Sequence, residues 1–179
     1  MSNRGSVTLT CALLPALAAA LAAVAGCGQP YDDLLGVWQV TAHTDNQTGC
    51  EAEGPPVVDP PFIKFVEGEF FGQEYAQYVA CTTPATCEDP GGLFGGLLYA
   101  EEIDGGVRAV IYSASGSPAD CLLAATVSDA TVVGGALTIE TRRRSQDNVT
   151  DSSCDADDAQ ARAASLPCDG YEVIEGARP

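Results

Sequence analysis

Eight β-type segments joined by connections that alternate between long and short constrain the fold of this chain more than any other feature. Positions 34–43 place Trp38, Val40 and Ala42 on one face and Gln39, Thr41 and His43 on the other, the period-two pattern of a half-buried strand. Segments 62–67 and 75–81 are aromatic and β-branched. Segments 94–103 and 107–115 flank Asp104-Gly105-Gly106, a strong hairpin signal, and segments 121–128 and 136–143 flank a turn region with Gly134-Gly135. Good helix formers after an acidic start predict one helix over 155–165, ended by Pro167. Segment 171–175 is a short last strand.

The connections 44–61, 82–93 and 144–170 are long, 116–120 is of medium length, and 68–73, 104–106 and 129–135 are turns. When consecutive strands pair, every second connection lies at the same end. All the long connections therefore gather at one end, the top, with Cys50, Cys81, Cys87, Cys121, Cys154 and Cys168. Parity also sets the eighth strand antiparallel to the first. The expectation is a mainly β fold, an antiparallel up-and-down barrel of about eight strands with one helix before the last.

Ahead of these segments, Arg4 precedes an almost wholly apolar run, 11–24, ending in Val24-Ala25-Gly26-Cys27. The run is shorter than the roughly 20 apolar residues of a spanning helix, and its order of charge, apolar stretch and small residues is that of a secretory leader. Its ending resembles the lipobox of bacterial lipoproteins. The resemblance implies cleavage before Cys27, a lipid on that thiol and attachment to the cell envelope. Gly28, rather than Asp, after the cysteine favours the outer membrane. The expected organisation is a signal peptide over 1–26, a short tether over 27–33 and a barrel domain over 34–179, with the closed end of the barrel facing the membrane. Roughly 150 residues then remain, enough for one domain with a real core.

Removing Cys11 and Cys27 leaves an even set of six cysteines, read in an exported domain as three disulfides. There is no CxxC pair and only one His, so zinc-ligand spacing is absent. Cys154 and Cys168 bracket the helix and are the expected partners; Cys81–Cys87 is next, which leaves Cys50 with Cys121.

The formal charge of −17 becomes −18 once Arg4 leaves with the leader. So acidic a surface repels phosphate backbones and excludes nucleic acid as a partner. No GxSxG, Walker, HExxH or SxxK motif is present, and no enzymatic activity is expected. His43 reads as an exposed polar residue at a strand end, and Phe70-Phe71 as an apolar turn plugging the barrel bottom. Asp147, Asp151, Asp155, Asp157 and Asp158 offer hard oxygen ligands of the kind Ca²⁺ takes, but the D-x-[DN]-x-[DN]-G spacing is missing. The expectation is no metal and no cofactor. Arg142-Arg143-Arg144 is the one basic cluster, either holding an anionic ligand or pairing with neighbouring acids.

Gly36-Val37-Trp38 opening the first strand, followed by a β meander, a helix and a last strand, resembles the lipocalin pattern. The resemblance implies a barrel with a ligand cavity at its open end, and a late Arg, here Arg178, packed across Trp38 at the closed end. It implies a small apolar or amphipathic ligand for a monomeric, membrane-anchored protein. The alternative is a structural or interaction lipoprotein whose barrel is filled by Trp38, Tyr78, Tyr99 and Tyr112 and whose stapled loops meet another macromolecule.

Overall fold

The structure, a computed structural model, describes residues 29–50, 54–87 and 96–179. The leader, Cys27 and positions 51–53 and 88–95 lie outside the described residues. Eight strands form one antiparallel sheet: β1 (Gly36–Asn46), β2 (Phe62–Phe70), β3 (Gln73–Cys81), β4 (Glu101–Ile103), β5 (Gly106–Ser117), β6 (Asp120–Val133), β7 (Ala136–Val149) and β8 (Cys168–Ala177). One helix, α1 (Ala156–Arg162), precedes β8. The lateral order is β3-β2-β1-β8-β7-β6-β5-β4, so consecutive strands pair except β3 and β4, which form the two edges, and β8 pairs with β1. The sheet curls into an up-and-down half-barrel. Its two edges meet at one bridge, where Ala76 and Tyr99 exchange two backbone hydrogen bonds of 3.0 and 2.8 Å.

Several strands run longer than their hydrophobic alternation. β6 continues to Val133, and the turn shrinks to Gly134-Gly135, both with positive φ, which suits a two-residue hairpin. β7 continues through 144–149, a polar stretch with no apolar period. There the strand is held by backbone pairing to β6 and by the Ser145 amide donating to the Pro167 carbonyl. The fourth strand is shorter than 94–103. Leu97 and Tyr99 turn into the core instead of extending the ladder, and regular pairing starts only at Glu101.

Two apolar clusters account for the burial pattern. The first fills the lower barrel with Trp38, Ile63, Phe65, Tyr99, Val107, Leu137, Ile139 and Ile174. The second lies outside the upper barrel, where Ala159 of α1 and Leu166 cover Cys121, Leu123 and Ala125 of β6, with Tyr112 and Ala114 of β5 at its margin. Along β6 the buried positions switch from 121, 123 and 125 to 128 and 130, yet the pairing to β5 is continuous through this region. The strand has not slipped: it buries its outer face above, beneath the helix, and its inner face below. Tyr112 accordingly sits outside the barrel and does not fill it.

The N-terminal segment enters the fold earlier than position 34. Tyr31 and Leu34 are buried in the first cluster, so residues 29–35 cap the lower end.

Candidate functional site

The turns Phe71-Gly72, Asp104-Gly105 and Gly134-Gly135 occupy the lower end, and the connections with the six cysteines the upper. The structure keeps one expected pair, Cys81–Cys87, and replaces the other two with Cys50–Cys168 and Cys121–Cys154. The correction follows from the topology. β8 lies between β1 and β7, which brings Cys168 at its start beside the connection leaving β1. The helix lies against β5 and β6, which brings Cys154 at its entrance to Cys121 on the outer face of β6.

At the closed end Trp38 and Arg178 meet. The guanidinium lies 3.8 Å from the ring centroid, and it donates to the Leu35 carbonyl at 2.8 Å and the Asp33 carbonyl at 2.7 Å. The Trp38 indole N–H donates to the Leu34 carbonyl at 2.7 Å. Gly36 makes room for this stack: its φ is +103°, and a Cβ there would lie 3.0 Å from the Arg178 Nη1.

Above this floor the interior is aromatic. Phe65 packs against Tyr78 at 5.5 Å and against Tyr99 at 5.6 Å between ring centroids. The Tyr99 hydroxyl is 2.8 Å from Ser128 Oγ, which is 2.8 Å from Thr141 Oγ1, so the buried hydroxyls of β6, β7 and the segment before β4 satisfy one another.

Higher still, the inward face turns ionic, an arrangement that apolar periodicity could not reveal. The register puts His43 opposite Ile174, Asp45 opposite Glu172 and Arg143 opposite Gly170, so these side chains share the inner face. His43, read as exposed, has a side chain only 8% exposed. Its Nδ1 lies 3.0 Å from the Asp59 carbonyl oxygen and its Nε2 lies 2.9 Å from Glu172 Oε1. Both neighbours are acceptors, so a ring nitrogen that carries a proton donates to the one it faces. Arg143 reaches Asp45 at 2.5 Å and Glu172 at 3.5 Å, filling space that exists because residue 170 is glycine: a Cβ there would lie 2.5 Å from Arg143 Nε. Burial works to raise the Asp45 carboxyl, but hydrogen bonds from Gln47 and Arg143 outweigh it and hold the group below its usual range. Each charged member of the cluster is engaged by another, and His43 also ties the 47–61 connection to the barrel.

The three arginines divide by strand alternation. Arg143 points inward. Arg142 points outward, pairs with Glu140 at 2.6 Å and lies over the Tyr171 ring at 5.2 Å. Arg144 donates to the Leu166 carbonyl at 3.0 Å, below the helix. The acidic stretch disperses in the same way. Asp147 lies on β7, Asp151 pairs with Arg162 at 3.0 Å, Asp155 caps α1 by accepting from the Asp158 amide at 2.9 Å, and Asp157 sits in its first turn. Among the described residues no group of three His, Cys, Asp or Glu side chains converges to hold a metal ion.

The buried phenols give a pH prediction. Burial, then the nearby Glu67, push Tyr31 up to about 12; burial, then Glu172, push Tyr78 to about 12, and burial raises Tyr99 further. Unfolded tyrosines ionise near 10.0, so these groups contribute stability that is complete below that pH and lost as pH rises through the folded values. Phenolate absorbance in the near ultraviolet should stay short of the amplitude of six tyrosines until circular dichroism reports unfolding. Full amplitude in the folded protein would contradict this burial.

No protein-family model matches the chain, and neither a similar curated protein nor a similar solved structure was found.

Proposed function

We propose that this chain is an exported, non-enzymatic envelope lipoprotein, anchored through a lipid on Cys27, with a filled barrel that serves as a scaffold and a disulfide-stapled upper rim that serves as its interaction surface. The observation that carries the reading is the filling itself. Trp38, Phe65 and Tyr99 are fully buried in the lower barrel, Tyr78 packs on them, and the ionic cluster lies above. A ligand barrel needs an apolar space of a few hundred Å³ or more, and in the lower barrel these rings occupy the interior. The same filling weighs against a small apolar ligand and for the interaction reading. The three disulfides agree with an oxidising compartment outside the cytoplasm. A monomer with no nucleic-acid partner suits the acidity of the chain.

The test has two parts. Labelled palmitate should enter the wild type and not Cys27→Ser, and equal labelling of both overturns the anchor. Native mass spectrometry of protein purified from the envelope should show the acylated polypeptide alone. A stoichiometric small molecule released on denaturation would return the barrel to a ligand-binding role.

A further inference from the structure

The lower end carries apolar groups where a barrel floor standing in water has no use for them. Phe71, expected to plug that floor, is instead 94% exposed at the tip of the β2–β3 hairpin. Its φ is +49°, a left-handed conformation that disfavours a bulky residue, and its ring leans on Phe70 at 4.3 Å. Glycine or asparagine would remove both the strain and the exposure. On the β6–β7 hairpin, Val133 is 73% exposed immediately before Gly134-Gly135. Both tips lie at the end that residues 29–35 cap.

That end is also where the remaining chain must leave. Cys27 lies two residues before Gln29, and two residues span at most about 7 Å. A lipid on Cys27 therefore holds the lower end, with its two apolar tips, against the bilayer. The charges around the tips select the kind of surface. Glu69 and Glu74 face each other across the hairpin that presents Phe71, and Asp104 lies on the neighbouring turn. Carboxylates at headgroup level disfavour anionic lipid and tolerate a zwitterionic one.

We propose that Phe71 and Val133 form a two-point wedge that enters the headgroup–acyl boundary of a zwitterionic bilayer and fixes the protein upright, with the disulfide-stapled rim pointing away. The proposal rests on the lipid anchor proposed above and adds to it a second, side-chain contact with the membrane. Aromatic and aliphatic side chains at such a boundary gain burial that water denies them.

The acylated protein is reconstituted in vesicles of brominated phosphatidylcholine, with mass spectrometry of its N-terminal peptide reporting the lipid. The indoles of Phe71→Trp and Val133→Trp should be strongly quenched relative to the wild type, whose Trp38 is buried. Ala119→Trp, at an exposed position in the β5–β6 turn at the opposite end, should not be quenched. Exchanging half of the lipid for phosphatidylglycerol should weaken quenching at 71 and 133. If the protein is acylated but the indole at 71 is quenched no more than the one at 119, the wedge is wrong and the anchor stands. This holds whether the indole then lies in water or against a second protein. A chain without acylation overturns the anchor, and the wedge falls with it. Quenching that is equal at both ends overturns the orientation.

Discussion

Cys50→Ala/Cys168→Ala is expected to cost this domain about 5 kcal/mol, the largest loss from any one of its disulfides. In the chain-entropy model a cross-link restrains the unfolded ensemble more as its loop lengthens. The separations here are 118, 33 and 6 residues, for Cys50–Cys168, Cys121–Cys154 and Cys81–Cys87. The same relation gives about 4 kcal/mol for the second and about 2 kcal/mol for the third. A domain's whole stability is about 5–15 kcal/mol, so losing the longest link brings this one close to unfolding and lowers its midpoint by roughly 10–20 °C. Position adds to length. Cys50 and Cys168 sit where β8 pairs with β1, next to the Arg143–Asp45–Glu172 cluster, so the link also pins the strand pair that joins the two halves of the sheet. Urea unfolding of the three double variants, followed by circular dichroism, measures the order. A Cys81→Ala/Cys87→Ala loss equal to or larger than that of Cys50→Ala/Cys168→Ala would refute the entropic ranking.

The pairing of those cysteines also marks where sequence reasoning reaches its limit. Parity of strands and connections was enough to gather six cysteines at one end, because a meander leaves no other arrangement once consecutive strands pair. Parity carries no information on which strands lie beside one another around the barrel. Cys154 and Cys168 are close in sequence and bracket the helix, yet α1 lies over β5 and β6 while β8 runs between β1 and β7. The chain thus separates the two cysteines and hands each to a different partner. Cys81 and Cys87 are six residues apart, and there proximity in sequence decides.

A similar limit hid the ionic cluster. Alternation marks apolar residues as inward, so His43, Asp45, Arg143 and Glu172 look like solvent-facing positions. They face inward because β1 shifts register between Val40 and Ala42, and because Gly170 opens space for a guanidinium. The bulge moves His43 from the face opposite Trp38 to the same side of the sheet, a change of phase that no periodic pattern announces. Asp45 is the readable part in hindsight: a lone acid at the end of a β-branched strand, one strand removed from the only run of arginines in the chain. The strand extension through 144–149 was unreadable for the complementary reason, since backbone pairing rather than side-chain burial holds it.

Trp38→Ala is expected to cost about 3–5 kcal/mol, the range for emptying a large buried aromatic site. The ring is 1% exposed, and its removal also leaves the Leu34 carbonyl without the indole donor. Arg178→Ala should cost about 1–3 kcal/mol, from a cation–π contact on a partly exposed guanidinium and two hydrogen bonds to main-chain carbonyls. The two residues touch, so their losses should not add: the double variant should be less destabilised than the sum by about 1 kcal/mol. Trp38→Phe separates the contributions, since it keeps an aromatic face beneath Arg178 and deletes the donor to Leu34. Thermal and urea unfolding of the four chains close the cycle. If the single losses add to within about 0.3 kcal/mol, the stack is proximity without interaction. The floor of the barrel would then be held by burial of Tyr31 and Leu34 alone. If the coupling is present, the last strand and the N-terminal cap are fastened to each other through one indole ring. In that case, loosening either terminus should lower the stability of the whole sheet rather than fray one end, because β8 and β1 are its two central strands.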